Sequence, residues 1–165
     1  MTSTGERWRH RDALAGGLCF LPVGLLLGLL IVLLAPDAPS YRSLPLWSAV
    51  SAFFSGSVLW ALIVVRRSAY TRRAGRTAGL AIVVAVHLLG SSLMFLRQSV
   101  CHWVSGGCLD AMGDPPPDLG SGLGISIGYG LLSLVFVLGW VTLPVGMLLG
   151  QWLAARQSRQ RTAAQ

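Results

Sequence analysis

Four uninterrupted apolar runs decide what this chain can fold into. They cover about residues 13–34, 46–65, 78–96 and 123–153, and no ionised side chain falls inside any of them. Each reaches the roughly 20 apolar residues that a helix needs to cross a hydrocarbon core about 30 Å thick. In lipid every backbone N–H and C=O must find a partner within the protein, so such runs cross as helices. The expected fold is an all-α membrane protein with four transmembrane helices in an up-down antiparallel bundle. The helical domain occupies 13–153, after a short N-terminal segment 1–12 and before a basic tail 154–165.

Composition agrees: 53% of residues are hydrophobic and 12% charged, outside the usual range of a soluble domain. The formal charge of +7 would suggest nucleic acid in a soluble protein. Here the arginines flank the apolar runs instead of forming one face, so the bilayer is the expected partner and nucleic acid is not. Arg7, Arg9 and Arg11 precede the first run, which exceeds the roughly 7–15 residues of a signal-peptide core. Ala35-Pro36-Asp37 is a poor cleavage site, and the first run reads as a retained helix.

Orientation follows from the same arginines. Three precede the first run, five (Arg66, Arg67, Arg72, Arg73, Arg76) fill the connection 66–77, and three (Arg156, Arg159, Arg161) follow the last run. Only Arg42 and Arg97 lie on the other side, with Asp37, Asp110, Asp114 and Asp118. The positive-inside rule then places both termini and 66–77 in the cytoplasm of a bacterial-type inner membrane, with loops 35–45 and 97–122 outside. The five loop arginines are also candidates for anionic headgroups. Trp8, Tyr70 and Trp152 fall at the inner interface, and Tyr41, Trp47 and Trp103 at the outer. The fourth run is too long: 31 residues make a straight helix of about 46 Å. Its glycine-rich start from Gly120 is expected at or above the membrane surface, and Pro144 is expected to bend the rest.

His87 is the titratable group nearest the middle of a run, and an intramembrane ionisable residue is a functional hypothesis by default. Ser51 and Ser55 on the second run lie at a similar depth, and Ser91 is one turn away on the same helix. A neutral imidazole bonded to these hydroxyls is the packing reading of this polar cluster. Its rivals are a proton relay, for which the membrane holds no carboxylate, and haem ligation. His102 lies 15 residues on, about 22 Å along a helix, too far to supply the second axial ligand. No cofactor or metal is expected.

Cys101 and Cys108 share the outer loop, where an oxidising exterior favours a disulfide through the turn-forming Gly106-Gly107. A structural staple is the first reading and thiol exchange the rival, although the CxxC of membrane thiol oxidoreductases is missing. Cys101, His102 and Cys108 supply three ligands, short of a convincing metal site. Pro115-Pro116-Pro117 forms a stiff spacer that makes this loop longer than connection needs.

A nucleotide-binding glycine loop, an HExxH motif and a nucleophile paired with a base are all missing. The function expected is therefore contact: an accessory subunit or immunity-type protein engaging a protein through loop 97–122 or its helix faces. The alternatives are a thiol-redox protein and a small transporter component using His87.

One octapeptide recurs. LPVGLLLG from Leu21 and LPVGMLLG from Leu143 differ at one position, and each holds GxxxG with a proline two residues before it: Pro22, Gly24 and Gly28, then Pro144, Gly146 and Gly150. Such glycines let helix backbones approach closely. The two copies are expected to meet toward the cytoplasmic side as a seam closing the bundle between its first and last helices. Alternatively, one copy faces outward and makes a homo-oligomer contact.

Overall fold

A computed structural model of the chain describes residues 4–34, 42–108, 114–137 and 139–163. Helix α1 spans Thr4–Leu34. Helix α2, Leu44–Trp60, continues through a π turn at Ala61–Val65, and α3 spans Arg72–Ser105. Helix α4, Leu119–Leu132, continues through a second π turn at Ser133–Val137, and α5 spans Gly139–Thr162. Four stretches are long and apolar enough to cross a membrane: His10–Leu33, Leu44–Val65, Arg72–Ser105 and Leu119–Phe136. The chain is an all-helical, multi-pass membrane protein. Asp37, Tyr41 and Asp110 lie outside the described residues, as does the side chain of Trp8.

The helices outrun the apolar runs at most ends. Arginine and glutamine favour helix nearly as well as leucine, so α3 begins at Arg72 and α5 continues to Thr162. The second connection shrinks to 66–71 and the tail becomes helical. Local chemistry fixes the ends of α3. Thr71 caps its start by accepting from the Ala74 N–H at 3.2 Å. Gly106 closes it in the left-handed region, φ 67°. Helix α4 starts on Asp118, whose carboxylate accepts from the Ser121 hydroxyl at 2.7 Å and the Ser121 N–H at 3.0 Å. Those bonds, the hydroxyl first, hold the Asp118 carboxyl below the usual carboxylate range.

The expected 31-residue run is therefore a helix broken in the middle. Its glycine-rich start packs on the bundle: Gly122 lies beneath the Phe95 ring, and Ser126 approaches Ser92 at 3.4 Å. The break falls at the π turn Ser133–Val137, ahead of Pro144, which sits within α5 with its side chain facing out. The missing side chain at Gly139 lets the backbone close over the Leu134 carbonyl, where any Cβ would collide. Helices α4 and α5 thus both lie along α3.

Packing follows the glycines. Helix α1 lies antiparallel on α2: Gly16 meets Trp60 and Gly56, Gly24 meets Ser48 and Ala52, and Gly28 meets Pro45. Helix α5 lies antiparallel on α3, with Gly146 against the backbone of Gly79 and Gly150 against that of Gly75. Helices α2 and α3 join the two pairs, α4 packs on α3, and α1 touches α5 only sparingly. The core where the pairs meet is built on Phe20, Trp60, Val64 and Ile82, all fully buried.

This arrangement overturns the expected seam between the two octapeptides. Each copy is spent inside its own helix pair, on α2 and on α3 respectively. The reason is directional. The first copy comes late in α1, the second comes late in the run that α4 and α5 form together, and α1 and α5 run in opposite directions. The first therefore lies at the end where α2 begins and the second at the end where α3 begins. Neither glycine pair is left facing outward. Pro22 and Pro144 occupy the opposite, outer faces of their helices.

Candidate functional site

His87 sits on the inner face of α3 at the depth of the break between α4 and α5. Its Nδ1 lies 3.1 Å from the Ser133 hydroxyl and its Nε2 3.2 Å from the Thr142 hydroxyl. A neutral imidazole donates from one nitrogen and accepts at the other, and a hydroxyl serves either role. Ser133 opens the π turn and Thr142 belongs to α5, so one ring bridges the two sides of the break. Gly130 allows this: a side chain there would strike the His87 carbonyl and the Ser91 hydroxyl at 2.8 Å. With only hydrogen at that position, α4 comes close enough for Ser133, one turn later, to reach the ring.

The partners differ from those expected. Ser51 donates to the Trp47 carbonyl of its own helix at 2.7 Å, and the buried Ser55 hydroxyl has no hydrogen-bond partner among the described residues. Ser91 donates to the backbone carbonyls of His87 and Leu88, at 2.9 and 3.0 Å, and does not touch the ring. Burial of Ser51 and Ser55 shows that the second helix does turn its small face inward. The ring, however, points to the fourth run. Ser133 and Thr142 were visible in the sequence as two of its three aliphatic hydroxyls; their common reach to His87 depends on a break that the sequence does not mark. Beside the ring lies a cavity of about 10 Å³ walled by Phe20, Val23, Gly24, Val83 and Thr142. That is room for about one water molecule.

A second polar knot ties the end that carries the 66–71 connection. Asp12 of α1 accepts from the Tyr70 hydroxyl at 2.9 Å and from the Arg161 guanidinium at 2.7 Å. Gln157 donates to the Asp12 carbonyl at 3.2 Å and accepts from the Trp60 indole N–H at 3.0 Å. The Arg161 guanidinium stacks 3.9 Å above the Tyr70 ring. α1, α2, the connection and α5 meet here, and this knot supplies the contact between first and last helices that the octapeptides do not. Asp12 precedes the apolar run and Arg161 follows it, so both read as surface charges. Side-chain exposure of 13% for Asp12 and 36% for Arg161 leaves the pair partly screened. Asp12→Asn is expected to lower stability by about 2 kcal/mol, as for a partly buried hydrogen bond to a charged group. Arg161→Gln in the same background should add little. Chemical unfolding in detergent checks both, and an unchanged midpoint for Asp12→Asn would show that the knot carries no stability.

At the other end Cys101 and Cys108 are joined in a disulfide, with Cα atoms 5.6 Å apart. It folds residues 106–108 back against the last turn of α3. Cys19 is free and half-buried against the core. Among the described residues, no three His, Cys, Asp or Glu side chains gather where they could hold a metal ion. Arg66, Arg67, Arg72, Arg73 and Arg76 are all exposed around the 66–71 connection, and the Arg76 Nε–H donates to Gln151 at 2.8 Å.

No protein-family model matches this chain, and no curated protein or solved structure shows significant similarity to it.

Proposed function

We propose that this chain is a multi-pass protein of a bacterial-type plasma membrane that works by contact, as an accessory subunit or an immunity-type protein. Both termini and the 66–71 connection lie in the cytoplasm in this reading, supported by the arginines gathered at that end. The interior polar groups serve to hold helices together: His87 across the break, Asp12 across the knot. What the protein offers outward is apolar. The observation that carries the reading is the disulfide-closed end of α3, which presents Trp103 at 66% exposure and Val104 at 82%. At 34 residues, α3 is about 51 Å long. It exceeds the hydrocarbon core by enough to carry that end into the headgroup region or past it. A covalently fixed apolar tip at the membrane surface suits recognition of another protein.

Photo-crosslinking side chains at 103 and 104, in intact cells, should trap the same protein partner. The same group at 58, on the lipid-facing side of α2, should trap lipid. Joint Cys101→Ser and Cys108→Ser replacement should weaken the protein adduct by releasing the tip. Lipid adducts alone from all three positions would refute the contact reading. A reporter active only outside the cytoplasm and fused after Asp110 tests orientation, and an inactive fusion would reverse it.

A further inference from the structure

Beside this tip runs a groove of about 490 Å³ between the start of α2 and the outer third of α3, walled by Trp47, Leu93, Leu96, Arg97, Val100 and Val104. From Leu93 to Val104 it follows α3 for about 16 Å, the scale of a lipid acyl chain. Its walls are aliphatic or aromatic apart from the disulfide-bonded Cys101 and Arg97, the only basic residue of α3 beyond its first two turns apart from His87 and His102. Arg97 is exposed and forms no ion pair or hydrogen bond with the described residues. The Trp47 indole N–H is buried and has no acceptor among the described residues. Three more buried polar atoms nearby in sequence, Ser43 Oγ, Ser99 Oγ and His102 Nδ1, also lack partners among the described residues. Buried donors are normally satisfied, and each exception calls for an explanation.

We propose that this groove binds one anionic phospholipid from the adjoining leaflet. One acyl chain lies along Leu93 and Leu96 toward the bundle centre, and the phosphate sits at the groove's rim on the exposed Arg97 guanidinium. The chemistry selects this occupant. The apolar walls take a chain, a lone arginine at the rim takes an anion, and a groove open along its length to lipid admits a molecule already in the bilayer. A zwitterionic lipid fits the walls equally well but brings its own cation to Arg97. The site is separate from the five arginines at the opposite end.

Native mass spectrometry of the full chain tests this, after release from nanodiscs of equal parts phosphatidylglycerol and phosphatidylcholine. The wild type should retain phosphatidylglycerol preferentially. Arg97→Gln should lower that retention about five-fold, the effect of one arginine at a membrane surface, and Arg97→Lys should largely restore it. Val100→Trp, which fills the groove and leaves the charge unchanged, should also reduce retention. An unaltered headgroup preference in Arg97→Gln would overturn the proposal. So would full retention in Val100→Trp, because the lipid would then be held by charge alone. Circular dichroism of each variant confirms that the helices persist.

Discussion

Gly79→Leu or Gly146→Leu is expected to detach α5 from α3 and lower stability by about 3 kcal/mol or more, above the usual cost of overpacking. The two glycines face each other backbone to backbone. A side chain at Gly79 falls on the Gly146 carbonyl, and one at Gly146 meets both Val83 and the Gly79 carbonyl. A flexible side chain could rotate away from such an insertion, but a helix backbone has to move as a unit. Gly75 and Gly150 repeat the contact one turn further on, so separation at one level loosens the next. Without a hydrophobic force between helices in lipid, close packing of this kind is what association rests on. Gly124→Leu and Gly128→Leu are the internal controls, because nothing lies within 4 Å of either position. They should shift stability by less than about 0.5 kcal/mol. Unfolding titrations in mixed micelles read all four variants. Equal effects at Gly79 and Gly124 would mean that leucine disturbs these helices wherever it is placed and that the glycine seam has no special part.

The four spans were legible because lipid tolerates no ionised side chain and no unpaired backbone over about 20 residues. That constraint is written residue by residue. The glycines were legible as contact points for the same reason, since little else explains GxxxG in an apolar helix. Their partners were not. Which helices a glycine pair joins depends on the end of the molecule at which it falls, and the octapeptides, alike in sequence, sit at opposite ends. The break at Ser133–Val137 has no proline to mark it, while Pro144, expected to bend the run, lies like Pro22 inside a continuous helix with its ring outward. The Asp12 knot was hidden by a different effect. A carboxylate at a membrane edge reads as solvated until a guanidinium 149 residues later folds back over it.

His87→Ala should cost about 2–3 kcal/mol and should act first on the break. Removing the ring leaves a cavity, and large-to-small core replacements cost about 2–5 kcal/mol. It also removes the hydrogen bonds to Ser133 and Thr142, each worth roughly 0.6 kcal/mol between membrane helices. The pre-existing space beside the ring admits a water that re-satisfies part of this, which places the expected value near the lower end. Hydrogen exchange gives the sharper readout. The π turn at Ser133–Val137 departs from the α-helical bonding register by one residue. The imidazole is the one side chain described as holding both sides of it. Amides from Leu132 to Thr142 should therefore exchange faster in His87→Ala, while those near Gly75 and Gly150 stay protected. His87→Asn, which keeps a donor and an acceptor on a shorter side chain, should recover part of the protection. A proton-carrying histidine would behave differently: His87→Ala would abolish flux in vesicles and leave exchange at the break unchanged. Unchanged exchange would show that the helix holds its own kink, and it would return His87 to the list of groups whose burial needs a functional explanation.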